Sequence, residues 1–514
     1  MLTIEMTTRT EKRLGWSLGL AVGLALLLAY APRVAPGLLG GDAGEFQMAA
    51  WLGGLAHPTG YPLYLLLGWL WTHGLAVAGV EPASAMNWLS ALFGAGVGVL
   101  AVPVGVAVQR RVEPRAGHTS RPLARTAVSA LLALGFGWSA TFRAQALMAE
   151  VYTLHLLFLV LLLWLVLARA PLPWFGLVYG LSLAHHRTSV LWALAFFVFL
   201  WLDRRDDLRS TRVVTRTLLL LLLPQLLYLY VPLRGPRTSY LHQTLAAGEP
   251  LVLYDGSARA FWEHVTGTVF QEQLGAVGPL AERLRLVGRL AAAQLDWSRT
   301  AALGLVGSQL VAVALGVLAL AGAAWLIRRR SWAVLALLGL GALATAAFGL
   351  AYGIGDVEVM FLPLWLVVSL LQQPLLGAVA VRSRLVASAT GALLLLLLVG
   401  LPLRAWLDGS VPASHTSPVR AGWEKLLAAP PPPDAILVSN DRNEIVPLWY
   451  LQFVEGRRRD LLGLFPLITT RSEHADVGAV VSFALATGRP VRLIKPMPGL
   501  DLRFELADGE GDLV

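Results

Sequence analysis

Gly41-Asp42-Ala43-Gly44-Glu45, followed twelve residues after Glu45 by His57-Pro58-Thr59-Gly60-Tyr61-Pro62, lies just beyond the first long apolar run of the chain. Two carboxylates, a histidine and several residues that break regular backbone stand together at the edge of a hydrophobic segment. Spanning a bilayer does not call for that combination, so it has either a capping explanation or a chemical one. If a helix starts at Ala43, Asp42 is its N-cap and Glu45 its N3 residue, the capping-box spacing. In the chemical reading, a carboxylate near the bilayer boundary is a general base for an acceptor hydroxyl. An unperturbed Asp, with a pKa of about 3.9, is a weak base, and partial burial would improve it. The two readings are compatible. His57 to Pro62 reads first as a sharp reversal: Pro58 restrains His57, Gly60 permits a positive φ, and Pro62 suits the first turn of the next helix. The alternative is that the reversal packs His57 back against Asp42 and Glu45.

Working outward, 56% of the 514 residues are hydrophobic and only 14% are charged, against roughly a quarter charged in soluble domains. The composition is that of a polytopic membrane protein. The formal charge of +9 sits in short loops between apolar runs, which argues against nucleic acid as a partner. No cysteine is present, so disulfides, thiolate metal sites and Cys nucleophiles are excluded. Arg9, Lys12 and Arg13 precede the first apolar run, which reads as a retained anchor.

Apolar runs of spanning length fall near 15–38, 84–109, 123–142, 147–169, 172–186, 188–202, 216–233, 300–327, 331–354, 357–381 and 385–408, giving about 11 crossings. The run 62–80 decides the sidedness. If it spans, every later basic loop lands outside; if it lies in the interface, all of them land inside, as the positive-inside rule requires. Trp69, Trp71 and His73 suit an interfacial helix. The expected arrangement is a membrane domain over 1–408 with a cytoplasmic N-terminus, a first outer loop (31–83) and a large outer loop (234–299). The latter has helical patterns near 258–273 and 279–295. Residues 409–514 read as a small extracytoplasmic α/β domain, with strands near 435–439, 460–465 and 491–494 and helices near 443–456 and 475–487.

Other polar groups collect on the same outer side. Glu150 stands at the end of a span, with Arg143 a plausible ion-pair partner. His185-His186-Arg187 is either a polar turn or a phosphate-binding group. A metal site is disfavoured there because adjacent His side chains diverge on a helix. Arg234 is a cation at the outer end of another span, and Asp356 and Glu358 break an apolar hairpin beside Gly353 and Gly355.

The chain resembles the GT-C superfamily of membrane glycosyltransferases, and more closely the branch that holds a vertebrate transmembrane protein O-mannosyltransferase and bacterial relatives (glycosyltransferase family 117). The matching stretches are Gly41 to Phe46, Ala56 to Tyr64, Ala149 to Leu154, Gly180 to His186, Tyr228 to Arg234 and Pro447 to Gln452, in the family's order. Ala43 and Thr59 depart from the family's usual Ser and Pro. The resemblance implies a GT-C-like helical fold with a polyprenyl-phosphate-linked sugar donor. It also implies a catalytic acid in the first outer loop, carried over to Asp42 with Glu45 beside it.

The expected function is an inverting transfer of a hexose, mannose first, to an acceptor hydroxyl on a protein, glycan or lipid. His57, Tyr61, Glu150, His185, His186, Arg187, Arg234, Asp356 and Glu358 are the expected substrate-binding groups. No metal or other cofactor is required, with a divalent cation left open. The rival classes are a transporter or lipid-carrier flippase, which would favour mid-span charges and internal symmetry, and a non-catalytic assembly factor.

Overall fold

The computed structural model describes residues 2–112, 121–246, 249–275, 278–295, 304–382, 384–400, 417–428, 431–466 and 474–506. Helix occupies each of the eleven apolar stretches, the last of them described as far as residue 400. Among the described residues, six helices are long and apolar enough to cross a membrane unaided: Thr10–Arg33, Pro82–Val112, Thr211–Arg237, Gly307–Arg328, Trp332–Ala351 and Val357–Ala380. A seventh joins them if Pro122–Trp138 and Ala140–Ala146, bent by 69°, form one span. Length and composition alone thus do not reach the expected eleven. Leu172–His185 has only 14 residues and Ala193–Asp203 only 11. At 1.5 Å per residue, 14 residues reach about 21 Å, short of a hydrocarbon core of about 30 Å.

The run that decided the sidedness forms the 15-residue helix Pro62–Ala76, which packs against the Gly41–Leu52 and Pro82–Val112 helices and leaves Trp69 and Leu70 exposed. It does not meet the length for a span.

The tail folds around a three-stranded parallel sheet. Ile436–Val438 is central, with Ile436 opposite Leu462 of the Leu462–Leu464 strand on one side and opposite Val491 of the Val491–Leu493 strand on the other. Helices Arg442–Phe453 and Val477–Leu485 pack on it, the first N-capped by Asp441 and the second by Asp476. In the large outer loop the helical expectations hold as Ala258–Thr266, the 3-10 turn Thr268–Gln273 and Leu280–Ala293. An antiparallel hairpin, His242–Ala246 with Glu249–Val252, was not legible in the sequence.

The tail is not suspended on a linker. Phe46, Met48, Leu65, Met86, Leu437, Ile445, Leu448 and Tyr450 belong to one buried cluster, so the first outer loop and the α/β unit share a core. The Gly41–Leu52 helix lies directly on the Arg442–Phe453 helix. Two glycines permit this approach. Gly40 lies against the Asn443 carbonyl, and Gly41, with φ +60, lies against the Asn443 side-chain oxygen. A Cβ at either position would overlap those atoms. Gly40→Ala is therefore expected to separate the two helix N-termini and destabilise the fold by about 1–3 kcal/mol, the usual range for overpacking. The check is limited proteolysis, which should release the tail sooner than in the wild-type protein.

A polar network fixes the ends of these elements. Gln47, fully buried, accepts from the Leu39 N–H at 3.0 Å and donates to Asn87 Oδ1 at 2.9 Å. Asn87 donates to the Ala35 carbonyl and accepts from the Ala149 N–H, both at 2.9 Å. Two buried amides thereby tie the segment before the Gly41–Leu52 helix to the segment that carries Glu150.

Candidate active site

The helix of the opening motif starts at Gly41, two residues earlier than the capping-box reading requires. Its N-cap is Gly40, and no side chain caps it. The capping reading of Asp42 and Glu45 is therefore corrected. Asp42 lies inside the first turn, where its charge suits the helix dipole, and its side chain is free to face a partner. That partner is Arg442, from the first turn of the Arg442–Phe453 helix. Its Nη1 donates to Asp42 Oδ1 at 2.7 Å, and its Nη2 donates to Glu45 Oε2. The forked guanidinium spans two carboxylates on one helix, a geometry that Lys cannot reproduce.

His57 completes the group. The reversal forms with Gly60 at φ +84 and Tyr61 at φ +44, and Pro62 opens the next helix. His57 Nδ1 donates to Glu45 Oε2 at 2.5 Å, and its Nε2 stands 3.8 Å from Asp42 Oδ2. The two acids differ in their surroundings. The Asp42 side chain is 44% exposed, whereas that of Glu45 is 10% exposed. Burial would raise the Glu45 carboxyl, but Arg442 and His57 outweigh it and hold it at about 2. Burial would lower His57, but Asp42 and Glu45 outweigh it and raise its pKa above the usual 6.5.

Linkage then gives opposite signs for the two groups. The Glu45 contribution to stability is present above its ordinary 4.5 and is lost as pH falls toward 2. The His57 contribution is complete below 6.5 and is lost as pH rises through its raised pKa. Thermal stability is expected to fall on the alkaline side in the wild-type protein, and His57→Asn should remove that limb. An alkaline limb identical in both proteins would disprove the ion pair.

Around this centre aromatic rings close in. His57 meets Tyr61 edge-on at 5.3 Å and Phe270 at 6.4 Å, and Tyr61 meets His186 at 6.0 Å. His186 in turn lies 5.6 Å from Tyr152. A wall of rings therefore runs from His57 through Tyr61 to His186. Glu150 makes no ion pair with Arg143, contrary to the sequence expectation; Arg143 donates instead to the Trp138 carbonyl. Burial raises the Glu150 carboxyl well above the usual range, and the negative charges of Asp42 and Asp356 raise it further. Three acids from three separate loops thus share one field. Asp356 is exposed, and Glu358 is half-buried one 3-10 turn beyond.

The candidate phosphate-binding groups are placed differently from one another. His185 Nε2 is 2.9 Å from the Val151 carbonyl, and His186 Nδ1 is 2.6 Å from Thr188 Oγ1. Arg187 donates to the Val265 carbonyl at 2.9 Å and lies 4.6 Å from the centre of the Tyr228 ring, and its buried Nε has no hydrogen-bond partner among the described residues. Arg234 is committed to structure. Its Nε donates to the Gly53 carbonyl and its Nη2 to the Leu52 carbonyl at 3.1 Å, which satisfies the C-terminus of the Gly41–Leu52 helix. This end-capping argues against Arg234 as a phosphate ligand.

Ligand atoms of Asp42, Glu45 and His57 lie within 4.8 Å of one another, a spacing that a divalent ion can use. In this arrangement, however, Arg442 donates to both carboxylates and His57 Nδ1 donates to Glu45. A cationic group already holds the position, so the residues as placed do not fit a metal, and no step below is routed through one.

The fold and site together define a multi-pass membrane protein of GT-C-like architecture. Two solved structures share the fold over nearly the whole chain. ArnT from Cupriavidus metallidurans bound to undecaprenyl phosphate aligns with a TM-score of 0.50 and 14% identity, covering 93% of this chain and 92% of that one. The apo state of the same protein aligns with a TM-score of 0.52 and 12% identity, covering 95% and 94%. Residues 42–209 match the family described as Protein O-mannosyl-transferase TMEM260 N-terminal domain. Protein O-mannosyl-transferase tmem260 of Dictyostelium discoideum is 35% identical over 65 residues, which cover 13% of this chain and 8% of that relative's length. The resemblance read from the motifs, to this family and to the GT-C fold, holds.

Proposed function

We propose that the chain is an inverting membrane glycosyltransferase that takes a hexose, with mannose the first candidate, from a polyprenyl-phosphate donor to an acceptor hydroxyl. The observation that carries this reading is the division of labour between two acids on one helix turn. Glu45 is buried, ionised and anchored, while Asp42 is held by Arg442 on one oxygen and keeps a side chain that is 44% exposed. Asp42 then accepts the acceptor's proton as the hydroxyl oxygen attacks the anomeric carbon. The bond from that carbon to the phosphate oxygen breaks, and the lipid phosphate leaves already ionised, so no strong general acid is needed. The relative named as an O-mannosyl-transferase supports the sugar class, and the likeness to a structure bound to undecaprenyl phosphate supports the carrier.

On this reading the site faces outward, the N-terminus and the basic loops are cytoplasmic, and the tail is extracytoplasmic. The acceptor, whether protein, glycan or lipid, meets the cleft from that side. Arg187, with its buried Nε unpartnered among the described residues, is the first choice for the donor phosphate, with His186 beside it. Arg187→Gln is expected to raise the KM for the donor about tenfold or more, the scale of a lost charge-assisted hydrogen bond. Loss of kcat with donor affinity unchanged would argue against phosphate binding. The test of the function itself is the purified chain incubated with labelled polyprenyl-phosphate sugars. Release of the lipid phosphate with transfer of label supports the reading, and vectorial movement of the intact donor without release supports a flippase.

A further inference from the structure

A second cleft lies at the other end of the helices. Its volume is about 620 Å³, and it opens between the first half of the Leu2–Tyr30 helix, the C-terminal part of Pro82–Val112 and the end of Tyr152–Leu167. Lys12 lines it, while Tyr30 ends the same helix near the opening motif. Those 18 residues cover about 27 Å at 1.5 Å per residue, close to the thickness of a hydrocarbon core. The cleft and the candidate active site therefore stand on opposite membrane faces.

Its walls are of two kinds. Trp16 and Trp164 meet edge-on at 5.5 Å and, with Pro103 and Val106, make an apolar surface. Beside it stand Lys12, Arg110, Arg111 and Arg169, against two acids in the lining, Glu11 and Asp203. The acids are already engaged. Arg111 holds Asp203 at 2.6 Å and Arg169 holds it at 3.2 Å, while Arg125 and Arg110 approach Glu11 at 3.4 and 3.7 Å. Lys12 is exposed and has no partner among the described residues, and Arg110 has only its long contact to Glu11. A cleft with an indole-lined apolar wall and an excess of positive charge beside it matches an amphiphile with an anionic head.

We propose that this cleft binds one anionic phospholipid, its phosphate between Lys12 and Arg110 and its acyl chains along Trp16 and Trp164. A soluble phosphate would use the rim and leave the indole wall bare. The general attraction of a basic membrane face for acidic lipids would not depend on these two cations more than on others of that face.

Native mass spectrometry of the full chain, released from nanodiscs holding equal phosphatidylglycerol and phosphatidylethanolamine, tests the assignment. Wild-type protein is expected to retain one phosphatidylglycerol preferentially. Lys12→Gln with Arg110→Gln should weaken that retention about thirtyfold, the scale of two juxtamembrane cations. Arg212→Gln with Arg216→Gln, two exposed cations of the same face, removes the same charge and should change retention little. Equal loss in both pairs, or none in the first, would overturn the site. In a parallel arm, thermal stability in detergent is followed with inorganic phosphate alone. Stabilisation that requires Lys12 and Arg110 without lipid would overturn the phospholipid in favour of a soluble anion.

Discussion

Asp42→Asn is expected to lower turnover by about 10³- to 10⁴-fold, toward the upper end of what a positioned general base contributes. The substitution keeps the shape and an oxygen that accepts from Arg442 Nη1, now 2.7 Å away, so fold and donor binding should survive. What is lost is the lone pair that takes the proton from the acceptor. Asp42→Ala should behave alike in turnover but also release Arg442. The measurement is single-turnover release of lipid phosphate from labelled donor, with donor affinity determined separately. Near-wild-type turnover in both variants would remove Asp42 from the mechanism.

Arg442→Met should be the more destructive change to the site as an assembly. Glu45 would keep only His57 as counter-charge in a buried position. Breaking one side of a buried ion pair typically costs about 3–5 kcal/mol, and the lower end applies here because the Arg442 side chain retains 28% exposure. Turnover is expected to fall about 100-fold or more, because Asp42 loses its orienting partner, a scale set by small misplacements of reacting groups. Arg442→Lys restores the charge without the fork, so it should recover most of the stability and little of the turnover. If Arg442→Met unfolds at the wild-type temperature and turns over normally, the tail has no part in the site.

Much of the architecture was legible because hydrophobic periodicity and turn chemistry are local. The apolar runs gave helices where they were expected, and the tail's strands fell within the expected spans because the short segments at 436–438 and 491–493 hold Ile and Val near turn-forming Pro and polar residues. The hairpin at 242–252 was missed because its strands are short and polar and Pro250 argues against a strand. His57 returning to Glu45 was available as an alternative from Pro58 and Gly60. The helix start was misplaced because Gly40 supplies extended backbone at the cap, and a carboxylate one step inside the first turn has the same sequence signature as one at the cap itself. Gln47 and Asn87 were passed over because single amides on apolar helices carry no periodic signal, yet both are fully buried and tie four segments together.

The sequence by itself determined that this is a polytopic membrane protein with its acids gathered beside the first apolar run, since composition, span length and charge placement are properties of the chain alone. Only the tertiary structure decided how those acids divide their roles. Arg442 lies 400 residues from Asp42, and nothing in the spacing around either residue marks the other. Two glycines let two helix N-termini approach, a shared core holds them there, and one guanidinium then pairs with both a buried Glu45 and a half-exposed Asp42. Long-range packing sets which carboxylate is buried and which stays exposed, because burial and counter-charge depend on what the fold brings near.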